Sequence, residues 1–223
     1  HKQRAITIWD YEHIILEKFP KIFKVKCINH SGFYPKNGED VFCENFPGHV
    51  TVITVPELNN ATNINPLRPY TSLGLLTNIY DYLKTLTSPF VVLHVKNPQF
   101  EEIQLDFKVK FHDNLSESFY LQLLNTEIEQ FLCPWAFNNK QEITFGGKIY
   151  KSAILNFIEE RAYVDYVTCF KMNHIINRNT TGTQILLDVE EATASTARSI
   201  LVSYYDEDTN TRHLIQSPAT CTC

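Results

Sequence analysis

The side chains with chemistry to offer in this sequence are cysteines, histidines and adjacent acids, and their spacing decides how much they can do. The chain ends on Cys221-Thr222-Cys223, a C-x-C that can hold a soft metal or oxidise but supplies only half of a tetrahedral zinc shell. The eight histidines are scattered singly, with no HxxxH or HxH, so each reads as a surface or half-buried side chain rather than a ligand. Glu101-Glu102, Glu159-Glu160 and Glu190-Glu191 are neighbours in sequence. Neighbours point apart on a helix or strand, which makes these solvated faces before acid/base couples. Asp206-Glu207-Asp208 reads as a turn, lacking the spaced oxygens and glycine of a calcium loop. Phe145-Gly146-Gly147-Lys148 has the glycines of a phosphate cradle, but the GxxxxGK[ST] frame is absent and Ile149 stands where the hydroxyl belongs. Cys133, beside Pro134 and Trp135, reads as packed, and pairing it with a histidine needs a contact distant in sequence. The spacing therefore names no catalytic residue, no metal-ligand set and no cofactor.

What these residues leave open, composition narrows. A chain of 223 residues with 43% hydrophobic and 20% charged side chains buries a sizeable core, as one large domain or two small ones. Its 15 Phe and 11 Tyr against 7 Gly make it aromatic-rich. A net charge of −5 gives no electrostatic footprint for nucleic acid or an anionic membrane. No apolar run is long enough to span a bilayer, and the N-terminal residues contain no signal-peptide core. The first residue is His1 and the single methionine is Met172, so the chain reads as an excised piece of something longer, with an N-terminal neighbour. Six cysteines can make three disulfides in a secreted protein, but Cys27 and Cys169 sit in apolar strand patterns and read as reduced core thiols.

The elements that must position these residues centre on Phe131 to Val167. A helix arrives at Phe131-Leu132 and Pro134 stops it. Trp135 and Phe137 follow, then a polar run, Asn138 to Gln141. Ile143-Thr144-Phe145 places bulk directly before Gly146-Gly147, two residues able to take positive φ at a sharp corner. A second helix is expected near Ile149, with Ala153, Ile154, Phe157 and Ile158 on its stripe.

Earlier in the chain, Asp10 is the expected N-cap of a first helix, with Trp9 stapled on Ile14. Phe23, Val25 and Cys27 alternate as a strand, residues 30–48 carry turn formers and one hairpin, and His49 to Val55 is a strand ended by Pro56. Ser72 caps a helix bearing Leu73, Leu76, Ile79, Tyr80 and Leu83, and Phe90 to Val95 is a strand. This predicts a split β-α-β sandwich lacking only its opening strand, which lies upstream or is Ala5-Ile6-Thr7-Ile8. After Pro98, Ile103, Leu105, Phe107, Val109 and Phe111 alternate with polar residues as an antiparallel strand with one wet face. A helix over 116–132, the central loop, a helix over 149–161 and strand Val164 to Lys171 follow. Strands at Ile185 to Val189, Ile200 to Tyr204 and His213 to Ile215 complete the second sheet or cap it. The fold class is thus α+β: two small split β-α-β, ferredoxin-like sandwiches in tandem with a short C-terminal β-hairpin, divided as 1–97 and 98–223.

Above that background stands surface suited to assembly. Aromatics, which bury large area at low entropy cost, concentrate at Phe33-Tyr34, Pro69-Tyr70, Trp135 to Phe137 and Tyr204-Tyr205. Trp135 reads equally as interface and as core. Pro134-Trp135, Phe145-Gly146-Gly147, Ile149-Tyr150-x-Ser152 and Val164-Asp165-Tyr166-Val167 resemble the C-terminal part of baseplate J-like proteins. The opening stretch from Arg4 to Cys27, the joint Pro98-x-Phe100-x-x-Ile103, and Ser199 to Ser203 with His213-Leu214-Ile215 as a closing hairpin extend the resemblance over most of the chain. Ser217 to Cys223 departs from it.

The resemblance implies a non-enzymatic wedge component of the baseplate of a bacterial contractile injection system or contractile phage tail. Its partners would be other wedge proteins, a second J-like copy, and sheath or spike-hub proteins, with neither nucleic acid nor membrane insertion. It would assemble in the bacterial cytoplasm and then form part of the injection particle. The interface candidates are Pro134, Trp135, Phe137, Phe145, Gly146, Gly147 and Tyr150. Two other readings stay open: a stand-alone module binding a peptide or carbohydrate in an aromatic-lined pocket, and a hydrolase or transferase whose His, Cys and carboxylates converge in one cleft.

Overall fold

The computed structural model describes residues 4–36, 38–58, 65–137, 142–178, 182–206 and 209–218. Two compact units divide the chain, His1–Gln99 with Thr196–Arg198, and Phe100–Ser195 with Ser199–Cys223.

The first unit opens with helix α1 (Ile8–Lys18), one turn earlier than an Asp10 cap allows. Thr7 is the N-cap. Its hydroxyl accepts from the Asp10 amide at 3.2 Å, and Asp10 Oδ2 accepts from the Thr7 amide at 2.9 Å. This capping box satisfies two orphan donors reciprocally. Trp9 stacks on His13, with ring centroids 3.8 Å apart. Strand β1 (Ile22–Asn29), the hairpin β2 (Gly32–Lys36) and β3 (Glu39–Cys43), strand β4 (His49–Pro56), helix α2 (Leu73–Leu86) and strand β5 (Val92–Lys96) follow.

The sheet order is β1-β4-β5, antiparallel at β1/β4 and parallel at β4/β5. This corrects the split β-α-β expectation. A ferredoxin-like sheet holds its opening strand between the two that flank the second helix, yet here Val50 lies opposite Leu93 and Val52 opposite Val95. No position is left for that strand, and the segment proposed for it runs instead into α1, with the Ala5 amide donating to Leu86 O at 2.9 Å. Tyr11 and Ile15 of α1, Leu76, Ile79 and Leu83 of α2, and Val25, Cys27, Val52 and Leu93 of the sheet form one apolar cluster. Phe33 of β2 faces Phe42 of β3, and the Arg198 guanidinium lies 5.2 Å from each ring.

In the second unit, strand β6 (Gln99–Phe111) leads to helix α3 (Glu117–Leu132), a 3-10 turn (Pro134–Ala136), strand β7 (Lys148–Tyr150) and helix α4 (Lys151–Glu159). Strands β8 (Val164–Ile176), β9 (Gln184–Leu186), β10 (Glu191–Thr193), β11 (Ser199–Ser203) and β12 (Leu214–Gln216) complete it. The main sheet runs β11-β6-β8-β9, with β12 also on β6 in parallel register, Ile215 opposite Phe107. The alternation read for β6 is observed: Ile103, Leu105, Phe107 and Val109 are at most 1% exposed, and the residues between them are half-buried. Leu124 and Ile128 of α3 and Ile154 and Ile158 of α4 are wholly buried.

Three further expectations need correction here. Helix α4 begins at Lys151 rather than near Ile149, because Lys148 to Tyr150 pair antiparallel with β10. The C-terminal strands do not form a hairpin with each other. Both lie along β6, and an isolated bridge, Asp206 to Thr211, lies in the segment between them. Cys169 is disulfide-bonded rather than a reduced core thiol. It sits where β8 carries one residue more than β6, between the pairs Asp106 with Lys171 and Lys108 with Thr168. Its φ of 54° at this bulge turns it out of the alternation that would have buried it. Cys27, by contrast, is a buried free thiol, and Cys133 is another. The Cys221-Thr222-Cys223 tail lies outside the described residues.

Ile128→Ala, which empties a site of 0% exposure, should lower unfolding stability by about 2–5 kcal/mol. Phe90→Ala, at 91% exposure, should stay within about 0.5 kcal/mol of the parent. Urea unfolding followed by circular dichroism reads both.

Candidate interface site

The central loop is built by how α3 ends. The Cys133 amide still donates to Glu129 O at 2.8 Å, and Pro134, with no amide of its own, opens a 3-10 turn closed by Phe137 N to Pro134 O at 3.2 Å. That turn buries Trp135 to 6% exposure and leaves Phe137 at 49%. At the other end of the loop, Gly146 takes φ 63°, and its amide donates to Ser199 O at 2.9 Å. Gly147 O accepts from the Ala194 amide at 3.1 Å, and the Lys151 amide donates to Glu190 O at 3.0 Å. Those two bonds set the parity of β7: Ile149 shares its backbone bonds with Ala192 of β10. The amide groups of Lys148 and Tyr150 therefore point to the opposite edge.

A cleft of about 320 Å³ lies between these pieces, lined by Phe131, Leu132, Pro134, Trp135, Glu142, Thr144, Gly147, Lys148, Ile149, Tyr150, Ala153 and Leu201. Four of the seven expected residues, Pro134, Trp135, Gly147 and Tyr150, meet there. Phe137, Phe145 and Gly146 do not line it. Phe131 was missed by sequence reasoning; its ring stacks on Phe157 with centroids 4.4 Å apart, and its place one turn before Pro134-Trp135 was the available signal. Lys148 was read only as part of a false phosphate cradle. Its ammonium pairs with Glu191 at 2.5 Å, a hydrogen bond that holds the lysine above and the glutamate below their ordinary values. The Trp135 indole nitrogen is buried and has no hydrogen-bond partner among the described residues, an unusual state for a buried indole.

Elsewhere in this unit, side chains with chemistry do converge, in two buried clusters. Glu101 is fully buried, against the expectation of a solvated pair. His174 Nε2 lies 2.8 Å from its Oε2, the Ser195 amide donates to Oε1 at 3.0 Å, and the Ser195 hydroxyl donates to it as well. Burial pushes this carboxyl up, but the hydrogen bonds from His174, Ser195 and Ser199 outweigh it and hold the group below its usual value. Its neighbour Glu102, 3% exposed, accepts from Arg178 at 2.9 Å. A central strand buried on both faces is why the pair is not solvated. The carboxylate stands between serine and histidine, so the serine hydroxyl bonds the carboxylate and not the imidazole.

The second cluster is Cys133, Ser203 and His213. Cys133 Sγ accepts from the Ser203 amide at 3.1 Å, and His213 Nε2 lies 3.1 Å from Ser203 Oγ. In outline this is the convergence a hydrolase needs. The tautomer is wrong for it, because Nδ1 accepts from the Leu105 amide at 3.2 Å. The ring proton is thereby placed on Nε2, which donates to the serine instead of taking its proton. His213 is also only 6% exposed. Histidines 174 and 213 are thus buried structural groups, not the surface or half-buried ones expected. Among the described residues, no group of three or more His, Cys, Asp or Glu side chains could hold a metal ion, and no helix is long and apolar enough to cross a membrane.

This α+β fold is similar to that of a chain in the cryo-EM structure of the anti-feeding prophage baseplate, six-fold symmetrised, at 20% identity and a TM-score of 0.56. The match covers 91% of this chain and 38% of that one. Among curated proteins none matches the sequence. The family model described as "Baseplate protein PVC11-like" matches residues 1–202. The chain belongs to this family of baseplate proteins.

Burial pushes the His213 imidazole down to about 3. Since an unfolded imidazole titrates at ~6.5, the neutral buried ring contributes stability that is fully present above that pH and lost as pH falls towards 3, by about 1.4 kcal/mol per unit. Unfolding free energy measured from pH 7 downward should show this slope, and His213→Gln, which does not titrate, should flatten it.

Proposed function

We propose that this chain is a structural region of the baseplate wedge in a bacterial contractile injection system. It acts through protein–protein faces that hold the baseplate and repack when it opens and the sheath contracts. The observation that carries this reading is the family match over residues 1–202, which runs through both compact units. Nothing in the polar clusters competes with it, since the groups in each are hydrogen-bonded to one another. The stand-alone binding module is the less favoured alternative.

Within the second unit, the Trp135–Tyr150 cleft is the proposed contact for a neighbouring baseplate chain. It combines an apolar floor, an aromatic rim and the outward edge of β7, features that recur where a partner segment anchors a side chain and adds backbone bonds. A further proposed face is β9. It ends the sheet order among the described residues, and Ile185, Leu186 and Leu187 are 56%, 45% and 73% exposed beside it. A stretch this apolar on a sheet edge calls for cover in an assembled particle. Other wedge proteins, a second copy of a related chain, and sheath or spike-hub proteins are the partners this reading expects, with assembly in the bacterial cytoplasm.

The test is co-purification of the full-length parent from its native host, with bound proteins identified by mass spectrometry. Recovery with sheath, tube and spike components supports the reading; recovery alone at every salt concentration sinks it. In the same preparation, Tyr150→Asp should weaken retention of at least one neighbour by about tenfold or more. Its thermal unfolding should stay that of the parent, because Tyr150 is 49% exposed.

A further inference from the structure

The first unit contains a pair of histidines that none of these roles uses. His49 Nδ1 of β4 and His94 Nε2 of β5 are 2.9 Å apart, with the rings stacked at 15° and centroids 5.2 Å apart. A hydrogen bond between two imidazole nitrogens needs a proton on one and a lone pair on the other. It survives with both rings neutral or one charged and is lost when both are imidazolium. The stack continues outward, with Phe46 3.9 Å from His49 and Phe33 of β2 5.7 Å from His94. Gly32, the first residue of the β2–β3 hairpin, rests directly on the shared bond. A Cβ there would lie 2.8 Å from His49 Nδ1, 3.0 Å from His94 Nε2 and 2.7 Å from the Phe46 ring.

We propose that His49 and His94 form a proton-sensitive latch that seats the β2–β3 hairpin on the sheet of the first unit and releases it when both imidazoles carry charge. The charges around the pair favour release. Lys96 of β5 has its ammonium 5.3 Å from the Phe33 ring, and Arg198 lies 5.2 Å from the same ring. The nearby anion, Asp40 of β3, is engaged by Lys96 at 3.1 Å. Glu44, just after β3, accepts from the Ala197 amide. His30, whose carbonyl accepts from the Phe46 amide at 2.6 Å, and Cys43, opposite Gly32, are further titratable neighbours. Burial first, then His49 and Lys96, hold His94 below its ordinary value, with Asp40 opposing. A lowered histidine contributes stability that is present above the unfolded value of ~6.5 and is lost as pH falls below it. The latch is therefore closed at neutral pH and opens on acidification. It is independent of the docking surfaces of the second unit.

Hydrogen exchange with mass spectrometry on the full chain, corrected for intrinsic rates, tests this between about pH 7.5 and about pH 5. The amides of Gly32, Tyr34, Val41 and Cys43, which bond across the hairpin, should lose about tenfold or more in protection, while those of Val52 and Ile53 hold theirs. His94→Phe keeps a ring in the stack without a titrating group, and its hairpin protection should be the same at both pH values. Gly32→Ala should show the acid pattern already at neutral pH. Unchanged protection in the parent, equal loss at Val52 and Ile53, or an undiminished pH response in His94→Phe overturns the proposal. So does a loss of hairpin protection on adding EDTA at neutral pH, which would assign the site to a bound metal instead of a shared proton.

Discussion

The backbone groups of β6 must be hydrogen-bonded, because the strand is central to its sheet, with one face buried from Glu101 onward and the other half-buried beyond Ile103, and this requirement organises the second unit. One side takes β8 in antiparallel register from Glu102 to Phe111. The other side is shared, with β11 beside the first part and β12 beside Asp106 to Lys108. Neither β11 nor β12 is long enough to cover that side alone, and the two C-terminal segments lie along it one after the other. The helices then follow, since α3 and α4 bring Leu124, Ile128, Ile154 and Ile158 to 0% exposure. An unpaired amide in such a strand would cost as much as a lost core contact.

That same demand explains the buried polar side chains. At Leu105, where β11 has ended and β12 has not begun, the amide finds His213 Nδ1 in place of a strand partner. The imidazole is held neutral there and hands its own proton on to Ser203. Glu101 and Glu102 occupy the first turns of the strand, and each is matched by a donor from elsewhere in the unit, His174 and Ser195 for one and Arg178 for the other. Buried ionisable groups of this kind specify an arrangement more than they strengthen it, because each leaves an expensive orphan if its partner moves.

The period-2 pattern of β6 and the helical stripes of α2 and α3 were legible because a half-buried element writes its geometry into residue type. The same reasoning failed where contact across the sequence decided the outcome. Whether β5 pairs β4 directly or leaves a gap depends on a register that no local pattern records. Lys148 to Tyr150 has helical neighbours and becomes a strand only because β10 is there to meet it. Glu101-Glu102 looks solvated until Arg178 and His174 are placed beside it, and Cys169 looks buried until a bulge rotates it. In the candidate site, Pro134 was readable as a helix stop, and Trp135 as interface or core alike. Phe131 and Lys148 were not, because their membership is set by the α3 terminus meeting β7 in space.

The three residues Thr196–Arg198 belong to the first unit although the chain on either side belongs to the second. Arg198 lies over Phe33 and Phe42, and Ala197 donates to Glu44. Neither unit is therefore a contiguous stretch of gene. A truncation after Gln99 yields a first unit whose hairpin aromatics have lost their guanidinium cover, and a product starting at Phe100 carries a loop whose partners have been cut away. A chimera built by exchanging one unit between relatives has to exchange these three residues with it.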